Sequence, residues 1–415
     1  MKQDGHAKVI AVPLTGFDRW GGGIGFIRLI LDGLLYDTAS DVVVLIPRRT
    51  LTQQAKAFAG ALRRWIKGVP RGDMHWITSR PFTPQEVLAS LADYLPRISA
   101  RFHPDTPAGL NKALRACGAS VALPCFNPMS RGCPIPWVGY IYDFQHRHLT
   151  DFFSEAERQA RDAAFKRMLQ AAPVVLCNSE TVRKDAQRFH PDGRSAIVTL
   201  PFVSVPRKEW FEADPAGVQR AYKVPARYFI VCNQFWLHKD HPTALRAYAE
   251  FLARGGDPEV GLVCTGSQED YRAPGYFASI KNLIIELKIE GRVHLLGRIP
   301  KLDQMALLRG AIAVLQPTLF EGGRGGGAVY DALAVGVPAL VSDIEVNLEL
   351  GPGHCQFFPP RDSSSLAELM LGTVSTGPTR PGLEVIYADS QRMLGEFHQS
   401  LRSAIKLAHA RYGIS

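Results

Sequence analysis

The chain has 415 residues, of which 46% are hydrophobic and 21% charged, and a formal charge of 48 − 39 = +9. That length points to two or three domains with ordinary globular cores, and no run approaches the roughly 18 apolar residues that a membrane-spanning helix requires. Seven cysteines without a Cys-x-x-Cys pair argue against a disulfide framework or a zinc site, while the basic balance favours anionic partners without choosing among them.

The N-terminus, Met-Lys-Gln-Asp-Gly-His, has no apolar signal region, so a reducing cytoplasm is the expected setting. Short β-branched runs then alternate with longer helical patterns, the signature of parallel strands with helical crossovers. In the first half they cover 9–14, 42–46, 121–123, 137–142 and 174–177; in the second half, 228–232, 260–264, 293–296, 311–315 and 338–341. The expected fold class is therefore α/β, with two doubly wound units in series.

The first strand feeds Gly16-Phe-Asp-Arg-Trp20-Gly-Gly22-Gly23-Ile-Gly25, after which Phe26, Ile27, Ile30, Leu31 and Leu34 mark one helical face. A close backbone approach to a ligand and a tight turn both fit this loop, and the incomplete dinucleotide fingerprint gives no support for NAD. Residues 51–80 mix Arg63, Arg64, Lys67, Arg71 and Arg80 with Trp65, Ile66 and Trp76, which reads as a solvated basic face or a membrane-surface patch. The strand over 137–142 ends in Asp143-Phe-Gln145-His146-Arg147-His148, where a carboxylate and imidazoles can orient or deprotonate an acceptor hydroxyl; surface histidines with no role are the alternative.

A proline-studded stretch over 200–225 with little periodicity marks the junction. Beyond it, the strand over 228–232 runs into Asn233-Gln234-Phe235-Trp236-Leu-His238-Lys239-Asp240-His241, and Lys239 there is either a diphosphate partner or a solvated helix-start lysine. Gly266 follows the next strand. The most informative stretch is Phe320-Glu321-Gly-Gly323-Arg324-Gly325-Gly326-Gly327, followed by Tyr330-Asp331-Ala-Leu and Gly336-Val-Pro-Ala-Leu-Val-Ser-Asp343. Glycines admit close backbone approach, helix-start N–H groups favour an anion, and carboxylates accept hydrogen bonds from vicinal hydroxyls, so the loop suits an activated sugar. The blander reading is a glycine-rich surface loop before a helix. The tail over 390–412 reads as an amphipathic helix.

Taken in order, these motifs resemble the family 4 retaining glycosyltransferases, most strongly over 228–350, where Leu296-Gly-Arg298-Ile299-Pro300, Ala311-Ile-Ala-Val-Leu-Gln-Pro317, Phe320-Glu-Gly322, Asp331-Ala-Leu and the Gly336 segment follow in the family's order. The resemblance implies the GT-B architecture, two Rossmann-like domains facing across a cleft, with an acceptor-binding domain over 1–205, a nucleotide-sugar-binding domain over 206–389 and a terminal helix over 390–415. It also implies that Glu321 contacts the donor sugar's hydroxyls, Asp331 the ribose and Lys239 the diphosphate. The glycines between the two acids would present N–H groups, Ile299 beside Arg298 would hold the base, and Gly22 and Gly23 would match the phosphate-facing loop of the first domain. Two departures stand out. Nine residues separate Glu321 from Asp331, more than the family's usual spacing, and Asn233 and Gln234 stand where the family commonly has an arginine, with Arg324 or His238 as candidate replacements.

The activity implied is metal-independent, retaining transfer of a hexosyl group from a nucleotide diphosphate sugar to a glycan or lipid-linked acceptor, in polysaccharide or cell-surface glycan assembly. The leaving phosphate would help remove the acceptor proton, and Asp143 and His146 would position the acceptor. No cofactor, metal or nucleic-acid partner is expected; peripheral contact with an anionic inner membrane face is. The rival classes are a nucleotide-sugar 2-epimerase and a non-catalytic ligand-binding module.

Overall fold

Among the described residues every strand pairing is parallel, and the strands form two separate sheets. The computed structural model describes residues 9–37, 40–50, 52–53, 82–270, 272–351, 353, 355–377 and 380–412. The basic stretch with Arg63, Arg64, Lys67, Arg71, Arg80, Trp65, Ile66 and Trp76 lies outside the described residues. The chain divides into two compact units, one of Met1–Asn178, Val182–Pro201 and Leu394–Ser415, the other of Ser179–Thr181 and Phe202–Met393.

The first unit carries β1 (Ile10–Pro13), β2 (Val42–Arg48), β3 (Ser99–Pro104), β4 (Val121–Cys125), β5 (Trp137–Ile141), β6 (Val174–Cys177) and β7 (Ala196–Thr199). Their order across the seven-stranded sheet is β3-β2-β1-β4-β5-β6-β7. The second unit carries β8 (Arg227–Cys232), β9 (Val260–Thr265), β10 (Val293–Gly297), β11 (Val314–Gln316), β12 (Ala339–Ser342) and β13 (Cys355–Phe358), in the order β10-β9-β8-β11-β12-β13. Both are the doubly wound arrangement expected from the alternating pattern, and in each the winding reverses at one place, between β1 and β4 and between β8 and β11.

Alternation along the strands of the second sheet feeds two cores. Phe229, Val231, Leu262 and Leu315 pack with the helices His241–Ala253, Tyr276–Glu286 and Ser363–Thr376. Tyr228, Ile230, Val263 and Val314 pack with Lys301–Gly310 and Gly326–Ala334. Both faces are covered, as a parallel sheet requires.

Three strands stand outside the sequence reading: β3, β7 and β13. All three are sheet edges, and none shows a run of fully buried residues; an edge strand pairs on one side only and is recorded weakly in the sequence. The proline-rich 200–225 stretch also holds a helix, Pro215–Tyr222. Asp214 caps it by accepting from Ala216 N and Gly217 N, and proline at its first turn fits a helix start. The terminal helix is longer than expected, Leu383–Tyr412. Its Phe397 and Leu401 lie where a side chain on Gly33 would stand, and His398 Nδ1 is 2.8 Å from the Gly33 carbonyl oxygen.

All seven cysteines are free thiols. Among the described residues, no helix is long and apolar enough to cross a membrane.

Candidate active site

In an open parallel sheet, ligands bind outside the carboxyl ends of the strands where the winding reverses. In the second unit those ends belong to β8 and β11. After β8 the chain makes a short turn, Leu237–Lys239, in which Lys239 N donates to the Trp236 carbonyl at 2.9 Å. Asp240 then adopts a left-handed conformation (φ 47°) and accepts from Thr243 Oγ1 at 2.7 Å as the helix His241–Ala253 begins. After β11, Thr318 Oγ1 and Leu319 N both donate to the His238 carbonyl, at 3.1 and 2.8 Å. These bonds stitch the two loops together, and Lys239 Nζ meets Glu321 Oε1 at 2.5 Å. The pair is largely buried, with side-chain exposures of 13% and 10%.

The glycines explain how the acid comes so close to the helix start. Gly325 (φ 70°) and Gly326 (φ 64°) are both left-handed, and a Cβ on Gly326 would lie 2.6–2.8 Å from the carboxyl atoms of Glu321. Gly266 plays a structural part at the end of β9, because a Cβ there would lie 2.2 Å from the Asn233 carbonyl oxygen. Gly323 accepts from Gly326 N at 3.1 Å, and Gly327 is exposed in the first turn of the helix Gly326–Ala334. Further along that helix, Asp331 forms a close ion pair with Lys301. Arg298 is exposed just after β10, and Ile299 packs partly against the core.

The two cations offered for the missing arginine are placed otherwise. Arg324 is buried, with NH2 3.0 Å from Glu349 Oε2; that carboxylate also accepts from Glu180 N, Thr181 N and Thr181 Oγ1 at 2.7–2.9 Å. His238 is buried too, and burial, reinforced by the positive charges of Lys239 and Arg272, pushes its imidazole well below the ordinary pKa, so it is neutral. Asn233 is buried and donates to Gln316, whereas Gln234 is exposed.

Gln316 and Asn347 escaped the sequence reading. Gln316 Nε2 donates to Glu321 Oε1 at 2.9 Å and to the Gly325 carbonyl at 2.8 Å, and Asn347 Oδ1 accepts from Gly325 N at 2.8 Å. The available signal was a polar side chain closing an apolar strand, which must find partners once buried.

The first unit places its candidates differently. Gly22 caps the helix Gly23–Leu34 without a side-chain bond, and the Trp20 ring stands beside it. Asp143 lies two residues past the end of β5, accepting from Gln145 N at 2.9 Å with Arg161 NH1 3.8 Å away. His146 has no exposed surface; its ring packs near Phe144, Phe153 and Phe165, and Nε2 lies 2.8 Å from Asp162 Oδ1. Burial pushes its pKa down to about 4, outweighing the Asp162 hydrogen bond. The acceptor contact expected of His146 thus falls on a ring enclosed in the core. His148 Nε2 lies 2.6 Å from Asp185 Oδ2.

Residues 219–375, all in the second unit, match the family model of glycosyl transferases group 1. Among curated proteins none matches the chain in sequence. Three solved structures are similar along almost its whole length. Sucrose-phosphate synthase from Thermosynechococcus elongatus is 15% identical, with 98% of each chain covered and a TM-score of 0.59. The Anabaena protein HepE, in complex with UDP and glucose, is 13% identical, covering 97% of this chain and 100% of its own at a TM-score of 0.59. The UDP-forming α,α-trehalose-phosphate synthase from Burkholderia xenovorans is 15% identical, covering 97% and 99% at 0.58. Likeness at that identity shows a shared fold, the two-Rossmann GT-B architecture.

Proposed function

We propose that this protein is a retaining glycosyltransferase of the family 4 type, moving a hexosyl group from a nucleoside diphosphate sugar to a hydroxyl of a glycan or lipid-linked acceptor. The observation that carries the reading is the meeting of Lys239 Nζ and Glu321 Oε1 at 2.5 Å beside the glycine start of the helix Gly326–Ala334, inside the segment that matches the group 1 family model. A sugar leaving its diphosphate passes through an oxocarbenium-like state, so catalysis consists mainly of stabilising charge on the departing phosphate and holding the acceptor hydroxyl near the anomeric carbon. Lys239 and the helix-start N–H groups supply the positive field without a metal. Glu321 accepts hydrogen bonds from the sugar, and Asp331 from the ribose. Ile299 and Arg298 flank the base, and Asp143 positions the acceptor. With no protein nucleophile assigned, the leaving phosphate takes the acceptor proton on the face it departs from, which retains the anomeric configuration.

The Anabaena neighbour binds UDP and glucose and the trehalose-phosphate synthase forms UDP, so uridine diphosphate sugars are the first donors to try. The +9 charge supports work at an anionic membrane face in surface-glycan assembly. The test is a panel of UDP-, GDP-, ADP- and dTDP-sugars screened for thermal stabilisation, followed by NMR of the products with glycan and lipid-linked acceptors. A true donor at about 100 times its dissociation constant stabilises by about 2.7 kcal/mol, and its sugar should reach the acceptor with the anomer retained. A C-2 epimer formed without acceptor would point to the epimerase class, binding without turnover to a ligand-binding module. Stabilisation by no nucleotide sugar would overturn the reading.

A further inference from the structure

The last residue of β11 interrupts an apolar strand. Gln316 is fully buried behind Val314 and Leu315, and a buried amide needs a partner for both its oxygen and its nitrogen. Its Oε1 accepts from Asn233 Nδ2 at 2.6 Å, while Nε2 donates to Glu321 Oε1 and to the Gly325 carbonyl. Glu321 Oε1 therefore receives two donors, Lys239 Nζ and Gln316 Nε2; among the described residues Oε2 receives none. Gly325 is gripped from both sides, its carbonyl by Gln316 and its N–H by Asn347, another fully buried amide, whose Nδ2 donates to the Ser342 carbonyl at 2.9 Å. Because Gly325 is the left-handed residue at which the helix Gly326–Ala334 begins, its setting fixes the direction of the helix's first N–H groups.

We propose that Gln316 is a positioning residue for donor binding: one amide turns Glu321 so that Oε2 is the oxygen offered to a sugar hydroxyl, and holds Gly325 so that the helix-start N–H groups keep their aim. This rests on the reading of Glu321 as the donor-sugar contact. The chemistry of the position is demanding. A carboxylate cannot donate to Glu321 unless protonated, a lysine cannot accept from Asn233, and an aliphatic side chain leaves Asn233 and the Gly325 carbonyl unpaired.

The test combines crystallography with kinetics on the full chain, using UDP-glucose as the first donor probe. In Gln316→Leu, Glu321 should swing away from its Oε1 anchor and Gly325 should shift. Donor kcat/KM should fall about 10- to 100-fold, the range for losing a hydrogen bond to a charged group. A buried leucine there also threatens folding, so Gln316→Glu is the second variant. It keeps the shape and the bond from Asn233, but it can donate to Glu321 only while the two carboxyls share a proton. Lys239 faces this pair, Tyr330 lies nearby with its pKa pushed up to about 12 by burial, and Arg324 and Glu349 offset each other. Like charges held side by side raise one of the pair's two pKa values. Activity of Gln316→Glu should therefore fall as rising pH removes the proton the two carboxyls share, relative to the parent protein, which a purely structural defect would not produce. Unmoved Glu321 and Gly325 in both variant structures, or a parent-like pH profile in Gln316→Glu, would overturn the proposal. Should the parent protein turn over no donor, the functional reading fails while the crystal structures still decide the role of Gln316.

Discussion

The two sheets share one strand order, yet the loops at their two reversal points carry different chemistry. At the β8/β11 point, a cation from one loop meets an acid from the other, Lys239 with Glu321, above a layer of buried amides. At the β1/β4 point the charge pairs sideways, Arg19 with Asp105 at 2.5 Å, while Trp20, Phe126 and Tyr142 stand with ring centroids 5.8–6.4 Å apart. Topology therefore supplies two equivalent crevices, and the residues at the strand ends decide what each can do. Opposite charges converging from two loops suit a ligand with phosphate and hydroxyls, whereas half-buried rings suit a ligand held by contact area.

The sharpest way to break this contrast is to remove its charge. Lys239→Ala should lower transfer turnover by about 10² or more, the scale for losing a transition-state charge contact, with most of the loss in kcat. His146→Asn should change kcat by less than about threefold, since one lost hydrogen bond of an enclosed ring is a small term. Steady-state kinetics on folded protein compare the two, and equal losses would erase the asymmetry between the units. Next in size is Gly326→Ala. Its Cβ would lie 2.6–2.8 Å from the Glu321 carboxyl at a φ of 64°, so the acid must move and the backbone is strained by about 1 kcal/mol. We expect turnover to fall about tenfold with a modest drop in melting temperature; unchanged turnover would mean that the position of Glu321 does not matter.

How much of this was legible in the sequence depended on where partners lie. Central strands such as β8 and β9 read directly, because burial on both faces leaves apolar runs; edges such as β3 and β13 did not. That Lys239 and Glu321 serve one ligand was expected from the family resemblance, and the fold adds that their strands, β8 and β11, neighbour each other across the reversal. The amide layer was invisible, since Gln316 answers to Asn233 and Gly325, and Asn347 to Gly325, pairings that only the folded loops create. The same blindness hid the surroundings of two candidates: Arg324 pairs with Glu349, and His146 is enclosed by phenylalanines.

Each unit also keeps a buried neutral histidine, and this allows the comparison to be read by pH. Burial pushes His146 in the first unit down to about 4, and His241, stacked on Phe235 at 4.1 Å in the second, down to about 3. The unfolded chain binds these protons below about pH 6.5 while the folded chain does not. Stability is therefore complete above about 6.5 and is lost as pH falls toward the folded values, each histidine contributing a slope of at most about 1.4 kcal/mol per pH unit. Calorimetry from pH 7.5 to 4.5 should show His241→Phe flattening the acid sensitivity of the second unit and His146→Asn that of the first. An unaltered slope in either variant would mean that its histidine is not held neutral.

The smallest expected effect concerns the outer acid. Asp331 is paired with Lys301, whose side chain is 48% exposed, so the pair is worth at most about 1 kcal/mol. If Asp331 accepts the ribose hydroxyls, the ammonium competes for the same oxygens and must share them when the donor binds. Lys301→Met should then leave kcat unchanged and lower the donor KM by no more than about fivefold, because a surface ion pair of that size has little to release. Asp331→Asn should move KM the opposite way. A KM that rises in Lys301→Met would instead give the lysine a direct part in holding the donor, extending the positive field of the β8/β11 crevice out to its rim.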